Sequence, residues 1–240
     1  QPRLGVSLHV PDGFIDPAVS LAAGVVALGG LTICVRRSNE LLQDREVPLA
    51  GLTAAFIFAV QMLNFPVAAG TSGHLLGGAL AAVLVGPYLG ALCVAVVLVV
   101  QALLFADGGL SALGLNIVNM ALVPAFGGYT IFVALRRLAP ANAAGIAGSA
   151  GVAAGLSAVL AAMAFTLEYA LGGTGDVAIA TVAWAMGGVH ALIGVGEGII
   201  TALAVSAVMA TRPDLVHGAT TLRPRSSSTQ TEGGAVRAVP

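Results

Sequence analysis

The chain has 240 residues, of which 58% are hydrophobic and only 9% are charged, with a formal net charge of −1. So few charged side chains cannot cover a water-facing surface, which excludes an ordinary soluble domain. The mean hydropathy of +0.97 and the 32 glycines instead predict one helical bundle in a lipid bilayer, because membrane helices pack closely through small residues.

The basic residues indicate which partners to expect. All ten are arginines, and almost all lie between or after apolar runs. No basic patch with interleaved aromatic residues occurs, although that pattern is typical of nucleic-acid binding. We therefore expect membrane lipid, and not nucleic acid, as a partner.

Seven apolar runs follow one another along the chain and are the candidate membrane spans. A helix needs roughly 20 residues to cross about 30 Å of hydrocarbon. The third run is short and is separated from the fourth by Gly86-Pro87, so it either begins earlier or is re-entrant. The predicted fold class is all-α, a polytopic membrane bundle of about seven transmembrane helices. The runs cover residues 17–35, 48–65, 73–86, 88–105, 113–135, 142–171 and 178–209.

The arginines also predict the orientation. With the N-terminus outside and seven spans, nine of the ten arginines face the cytoplasm, and only Arg3 lies outside. A single crossing in place of the third and fourth runs would put Arg136 and Arg137 outside, so the charge rule favours two crossings or none there. We predict three parts: an extracytoplasmic segment at 1–16, the bundle at 17–211 and a disordered cytoplasmic tail at 212–240.

Acidic residues show the complementary distribution. Five of them fall in outer segments or near an outer helix end, where they would make the entrance negative and attract cations. An equally good interpretation is that they are ordinary loop and capping residues. They are Asp12, Asp16, Asp107, Glu168 and Asp176.

The stretch "SLHVPDGFIDP" at residues 7–17 contains the first metal-ligand candidate, His9. Pro11-Asp12-Gly13 is a turn-forming sequence that would fold this outer segment back over the bundle. His74 lies at the start of the third run, at the same predicted end, so the fold-back would bring two imidazoles together as ligands for Ni, Co, Cu or Zn. Taken singly, each histidine is as compatible with a capping or interfacial role.

Two further segments contain polar residues at predicted membrane depth. "NFPVAAGTSGH" at 64–74 begins with Asn64 and predicts a broken, cavity-lining segment, with a plain loop as the alternative. In "LNIVNM", Asn116 and Asn119 share one helix face. Hydrogen bonding between helices is their ordinary role, and Asn116 is also a candidate to support a metal-bound imidazole.

The seventh run contains "VHALIGVGEG" at residues 189–198. His190 and Glu197 lie seven residues apart and therefore share a helix face, about 10 Å apart along the axis. Ionisable residues within a span are candidates for a pathway. A structural pair bonded to neighbouring helices is an equally good interpretation.

Together these motifs resemble a known family. "LHVPDGFIDP", "NFPVAAGTSGHLLGGALAAVLVGP", "LNIVNM" and "HALIGVGEG" are similar to the CbiM/NikM substrate-specific membrane component of cobalt and nickel energy-coupling-factor transporters. The resemblance runs from residue 8 to about residue 212. It implies capture of Co²⁺ or Ni²⁺ outside and release inside. It also implies three partners: a transmembrane coupling protein, ATP-binding-cassette ATPases and a small accessory membrane subunit.

The resemblance further implies an all-nitrogen, near-planar metal site. His9 and His74 would supply the imidazoles, and the His9 amide would supply a third nitrogen. Ala50 and Ala54 would face the coupling protein. The chain itself would not be an enzyme and would need no resident cofactor.

One position departs from the family pattern. The first histidine of the family follows the initiating methionine, whose amine is the fourth ligand, whereas Leu8 precedes His9 here. Three explanations compete: a translation start downstream of residue 1, proteolytic trimming, or replacement of the amine by water or another group. We favour the first.

Two alternative functions differ in what they require. A related component for a vitamin or other small ligand would need aromatic residues in its pocket, and only 5% of this chain is aromatic. An intramembrane metal-dependent enzyme could use His190 and Glu197, but the sequence contains no HExxH motif and no paired carboxylates within a span.

Overall fold

A computed structural model of the chain describes residues 9–41, 46–62, 65–68 and 71–220. Helices dominate this part of the chain, and a two-stranded hairpin separates the second helix from the third. The elements are α1 (Pro17–Leu41), α2 (Glu46–Gln61), β1 (Phe65–Ala68), β2 (Thr71–Gly73), α3 (Gly78–Val85), α4 (Pro87–Leu104), α5 (Leu113–Asn116), a π-helical segment (Ile117–Gly127), α6 (Gly128–Arg136), α7 (Ala143–Gly172), α8 (Ile179–Thr211), a 3₁₀ turn (Pro213–Leu215) and α9 (His217–Thr220).

Five helical stretches in the described residues are long and apolar enough to cross a membrane. They are Pro17–Leu41, Pro87–Leu104, Leu113–Arg136, Ala143–Gly172 and Ile179–Thr211. The predicted run at 48–65 corresponds to the shorter apolar helix Val47–Gln61. The chain is therefore a multi-pass helical membrane protein, but the predicted count of seven spans is not confirmed.

The predicted run at 73–86 contains α3, which has only eight residues, all but the last of them buried. A helix of that length covers about 12 Å, less than half of the hydrocarbon layer. α3 folds back onto α4 at Gly86-Pro87, and the two helices approach so closely that a Cβ at Gly90 would lie 2.7 Å from the Ala82 nitrogen. The third run is thus a short helix inside the bundle.

The all-α prediction also missed the hairpin ahead of α3. β1 and β2 pair antiparallel, with Phe65 opposite Gly73, where the sequence predicted an irregular segment. A second departure is the π-helical segment, which contains Pro124 within a stretch predicted as one continuous helix. Proline lacks the N–H that an α-helix needs, so local π geometry is a recognised accommodation.

Helices α7 and α8 form the most extensive helix pair in the described part of the bundle. A Cβ at Gly155 would lie 2.8 Å from the Gly194 carbonyl oxygen, and a Cβ at Gly198 would lie 2.9 Å from that of Gly151. Only glycine allows two backbones to approach in this way. α8 is therefore held firmly against α7 along several turns.

The predicted disordered tail begins with ordered structure. Residues 213–220 form the 3₁₀ turn and α9, and Val216 between them is completely buried. Val216 packs in a cluster with Phe132 and Val83. Because the apolar side chain of Val216 is buried, the folded bundle extends beyond residue 211. The prediction of disorder is therefore wrong for residues 213–220. The remainder of the predicted tail, 221–240, lies outside the described residues.

Candidate metal site

The two predicted ligand histidines lie next to each other inside the bundle. The ring centroids of His9 and His74 are 5.2 Å apart and their planes are inclined by 38°. Both residues are buried, with 3% and 5% of their surface exposed. The predicted fold-back of the segment around Pro11-Asp12-Gly13 is thus confirmed, since it brings together two imidazoles 65 positions apart.

The segment that contains His9 is tied to the loop before α5. Asn116 accepts a hydrogen bond from the Val10 amide at 2.9 Å and donates one to the Val10 carbonyl at 3.3 Å. The hydroxyl and amide of Ser111 both donate to Asp12 Oδ1, and they lower the pKa of that carboxyl. Asn116 therefore supports the site through the main chain beside His9, and not through an imidazole.

The same segment is also tied to the loop after α7. The Asp16 amide donates to the Gly172 carbonyl at 2.7 Å, and the Thr174 hydroxyl donates to the Gly13 carbonyl at 2.9 Å. These ties hold residues 9–16, which we call the strap, over the ends of α5 and α7. His9 is consequently placed by residues from two distant parts of the sequence.

Asp107 contacts His9 directly, a role that sequence reasoning missed. Its Oδ1 lies 2.8 Å from His9 Nδ1. The next residue, Gly108, has a φ of +93°, and a Cβ there would lie 2.8 Å from the His9 Cβ. The sequence placed Asp107 only among the outer acids, and its contact depends on a loop conformation that no local pattern predicts.

His74 has a defined tautomer because of its own main chain. Its Nδ1 lies 2.8 Å from the Leu75 carbonyl, which can only accept, so Nδ1 carries the proton. Nε2 then has the free electron pair that a metal ion requires, and no hydrogen-bond partner for it occurs in the described part of the chain. Burial and the nearby His9 lower the pKa of His74, which lies outside the five spanning helices, to about 4.

Residues from α2 and α8 hold the two peptide groups after His74. Glu197 accepts hydrogen bonds from the amides of Leu76 and Gly77, both at 2.9 Å. Gln61 donates to the Leu76 carbonyl at 2.7 Å. Glu197 is buried, with 1% of its surface exposed. It bonds to a neighbouring segment, as the structural alternative expected. Its partners there are main-chain amides and not a side chain.

A cavity of about 410 Å³ lies beside the two imidazoles and is lined mainly by apolar side chains. His190 and Asn119 line it together with His9 and His74. His190 Nδ1 lies 2.9 Å from the Met186 carbonyl, and Asn119 donates to Glu168 at 2.5 Å. His190 and Glu197 thus have different surroundings: His190 lines the cavity, and Glu197 bonds to the main chain of the segment before α3.

Beyond the two imidazoles, the polar side chains near the site are Asp107, which contacts His9, and the amides Asn116 and Asn119, which line the cavity. Among residues 9–41, 46–62, 65–68 and 71–220, no three His, Cys, Asp or Glu side chains are grouped to hold a metal ion. Two imidazoles supplemented by backbone nitrogen fit the nitrogen set that Ni(II) accepts in planar geometry. A site of this composition selects a transition ion over Mg²⁺ or Ca²⁺, which prefer oxygen ligands.

Three remaining candidates differ in where they lie. Asn64 is outside the described residues. Ala54 packs against the main core cluster, and the carbonyl of Ala50 lies 3.5 Å from Cys93 Sγ on α4. Both alanines are partly buried inside this chain.

The fold and site together define a multi-pass helical membrane protein with two imidazoles buried side by side, and similarity to known proteins identifies its family. The sequence model of the CbiM family, described as "Cobalt uptake substrate-specific transmembrane region", matches residues 9–215. The chain belongs to this family.

Individual relatives agree with the family assignment. A putative fused nickel transport protein NikMN of Archaeoglobus fulgidus is 42% identical over 210 residues, which are 88% of this chain and 68% of that protein. A cobalt transport protein CbiM of Sorangium cellulosum is 38% identical over 219 residues, covering 87% of this chain and 94% of that protein. A crystal structure of a transition metal transporter superposes with a TM-score of 0.78 at 28% identity, covering 90% of this chain and 99% of that one.

Proposed function

We propose that this chain is the substrate-binding membrane subunit of an energy-coupling-factor importer that captures Ni²⁺ or Co²⁺ outside and passes it inward. The observation that carries the proposal is the contact between the buried rings of His9 and His74. Two imidazoles whose ring centroids are 5.2 Å apart can bind one transition ion from two sides.

The ion is the substrate, and the protein supplies its nitrogen ligands. His74 binds through Nε2, since Nδ1 is held by the Leu75 carbonyl. His9 contributes its imidazole and its amide nitrogen, and the fourth position is taken by an amine, water or another group. Asp107 orients the His9 ring, as carboxylates commonly do for metal-bound histidines.

The cavity gives the ion a way past the pair. His190 and Asn119 line this space beside His9 and His74. We assign to them a role in transit, and Asn64, which lies outside the described residues, stays a candidate for the same role from its sequence alone. The N-terminal segment 1–16 then lies outside the cell and the residues after 211 lie in the cytoplasm.

Energy comes from other subunits in this proposal. ATP hydrolysis belongs to separate ATP-binding-cassette ATPases, a transmembrane coupling protein contacts α2 near Ala50 and Ala54, and a small accessory membrane subunit completes the importer. The names of the relatives support transport and not the enzyme alternative.

Metal titration of purified variants tests the proposal. His9→Ala and His74→Ala should each abolish tight Ni²⁺ and Co²⁺ binding in calorimetry, because one imidazole cannot hold the ion in place. The matched control is His217→Ala, since His217 stacks near Tyr129 and does not line the cavity. Unchanged affinity in either site variant would reject the proposal, and titrating both ions on one preparation would identify the preferred metal.

A further inference from the structure

The irregular segment His74–Gly77 lies between β2 and α3, and its conformation determines where the His74 ring points. Leu75 C=O and Leu76 N–H belong to one peptide group, and Leu76 C=O and Gly77 N–H belong to the next. The first group receives the proton of His74 Nδ1 at its oxygen and gives its N–H to Glu197. The second gives its N–H to Glu197 and accepts at its oxygen from Gln61.

All four hydrogen-bonding groups of these two peptides are therefore occupied, and three of them have partners from elsewhere in the chain. Glu197 is 121 positions from Leu76, and its two oxygens divide between the two successive N–H groups. Two bonds to the two oxygens of one side chain restrict the peptide planes more than a single bond would. The segment ends at Gly77, whose φ of +77° favours glycine and where a Cβ would lie 3.0 Å from Ile57 Cγ1.

The anchor for this arrangement is rigid. Glu197 lies on α8 between Gly194 and Gly198, the two residues at which α8 touches the α7 backbone. A carboxylate on a helix fixed in this way can hold the peptide planes beside it at a constant distance. Gln61 opposes it from α2, so the segment is held from two sides.

We infer that Glu197 is the positioning residue for the metal ligand His74, and that Gln61 assists it from the opposite side. By fixing the peptide that accepts the Nδ1 proton, Glu197 sets both the tautomer and the direction of the ring. Nε2 is thereby presented toward His9 before the ion arrives. This inference rests on the proposed function, because it concerns the ligand of that same site.

The test uses the full-length protein in detergent with Ni²⁺ alone as the probe. Glu197→Gln keeps the size of the side chain but offers an amide N–H to one of the two backbone N–H groups, which breaks the bidentate contact. We expect its Ni²⁺ dissociation constant to rise about 10- to 100-fold, the usual effect of losing a group that orients a metal ligand. The ligand-field absorption spectrum of the bound Ni²⁺ should change as well, because the ring is no longer fixed.

A matched control separates positioning from general damage to α8. Thr201 lies one turn further along the same helix and is equally buried, so Thr201→Val should leave both the dissociation constant and the spectrum unchanged. Glu197→Asp, which keeps the carboxylate on a shorter side chain, should recover part of the affinity. Wild-type affinity and spectrum in Glu197→Gln would overturn the inference.

Two further variants keep the test decisive. If Glu197→Gln fails to give a monodisperse protein, Gln61→Met takes its place. This variant removes one neutral hydrogen bond from the same segment and should weaken Ni²⁺ binding about three- to tenfold. Unchanged Ni²⁺ binding in Gln61→Met would overturn the inference. His74→Ala is measured in the same series. Loss of binding in His74→Ala together with wild-type binding in the Glu197 variant rejects only the positioning role. Retained binding in His74→Ala rejects the proposed function itself.

Discussion

Replacing Asn116 by alanine should weaken metal binding without unfolding the bundle. The Asn116 side chain makes two hydrogen bonds to Val10, the residue after His9. Each bond is worth about 1 kcal/mol net, and a buried Val10 N–H without a partner costs about 1–3 kcal/mol more. The Val10 carbonyl keeps its second donor, the Gly109 amide at 3.0 Å, so no comparable cost arises there.

The lost bond to the Val10 N–H and the cost of leaving that N–H without a partner sum to about 2–4 kcal/mol, which would act on the conformation of the strap that contains His9. The ties of Asp12 and Asp16 remain in place and hold the rest of the strap. The lower half of the range, about 2–3 kcal/mol, therefore applies, and the Ni²⁺ dissociation constant should rise about 30- to 150-fold.

Calorimetry with Ni²⁺ measures the change in affinity, and hydrogen exchange of residues 9–16 measures the loosening of the strap. The control is Asn142→Ala, which removes a side-chain cap from the first turn of α7, outside the cavity. It should lower stability by about 1 kcal/mol and leave the affinity alone. A dissociation constant within about twofold of wild type in Asn116→Ala would refute the reasoning, as would unchanged exchange of the strap.

Two other predictions use the same measurements. The metal-free protein should lose thermal stability as the pH falls from about 6.5 to about 4, because the unfolded chain protonates His74 at its ordinary pKa whereas burial keeps the folded ring neutral. His74→Phe should remove this part of the pH dependence, and parallel melting-temperature curves for the two proteins would contradict it. Gly108→Ala forces a Cβ into a left-handed residue 2.8 Å from the His9 Cβ, so it should weaken Ni²⁺ binding about tenfold or more. Gly29→Ala, with nothing within 4 Å of the added Cβ, should bind as wild type, and equal affinities in the two variants would disprove the steric argument.

The parts of the structure that the sequence predicted well depend on local chemistry. Apolar length located most of the helices, because hydrocarbon imposes a minimum span on any segment. The turn chemistry of Pro11-Asp12-Gly13 predicted that His9 folds back toward His74, and the 5.2 Å ring separation confirms it. Both inferences needed only residues adjacent in sequence.

The parts that the sequence did not predict depend on distant pairs or on geometry without a sequence signal. Glu197 bonds to Leu76, and Asn116 bonds to Val10 across 106 positions, so neither partner is visible in a local motif. The shortness of α3 follows from its fold-back at Gly86, and hydropathy alone cannot distinguish a short buried helix from a crossing one.

The glycine contacts between α7 and α8 also restrict how this protein can vary. Any side chain at Gly151, Gly155, Gly194 or Gly198 would force the two backbones apart. The displaced α8 would move Glu197 away from the amides of Leu76 and Gly77. The His74 ring would then lose its fixed orientation, and its Nε2 would no longer point toward the ion. Under the proposed function, these four glycines are therefore needed to keep the metal ligand His74 in place, although none of them lines the cavity beside it.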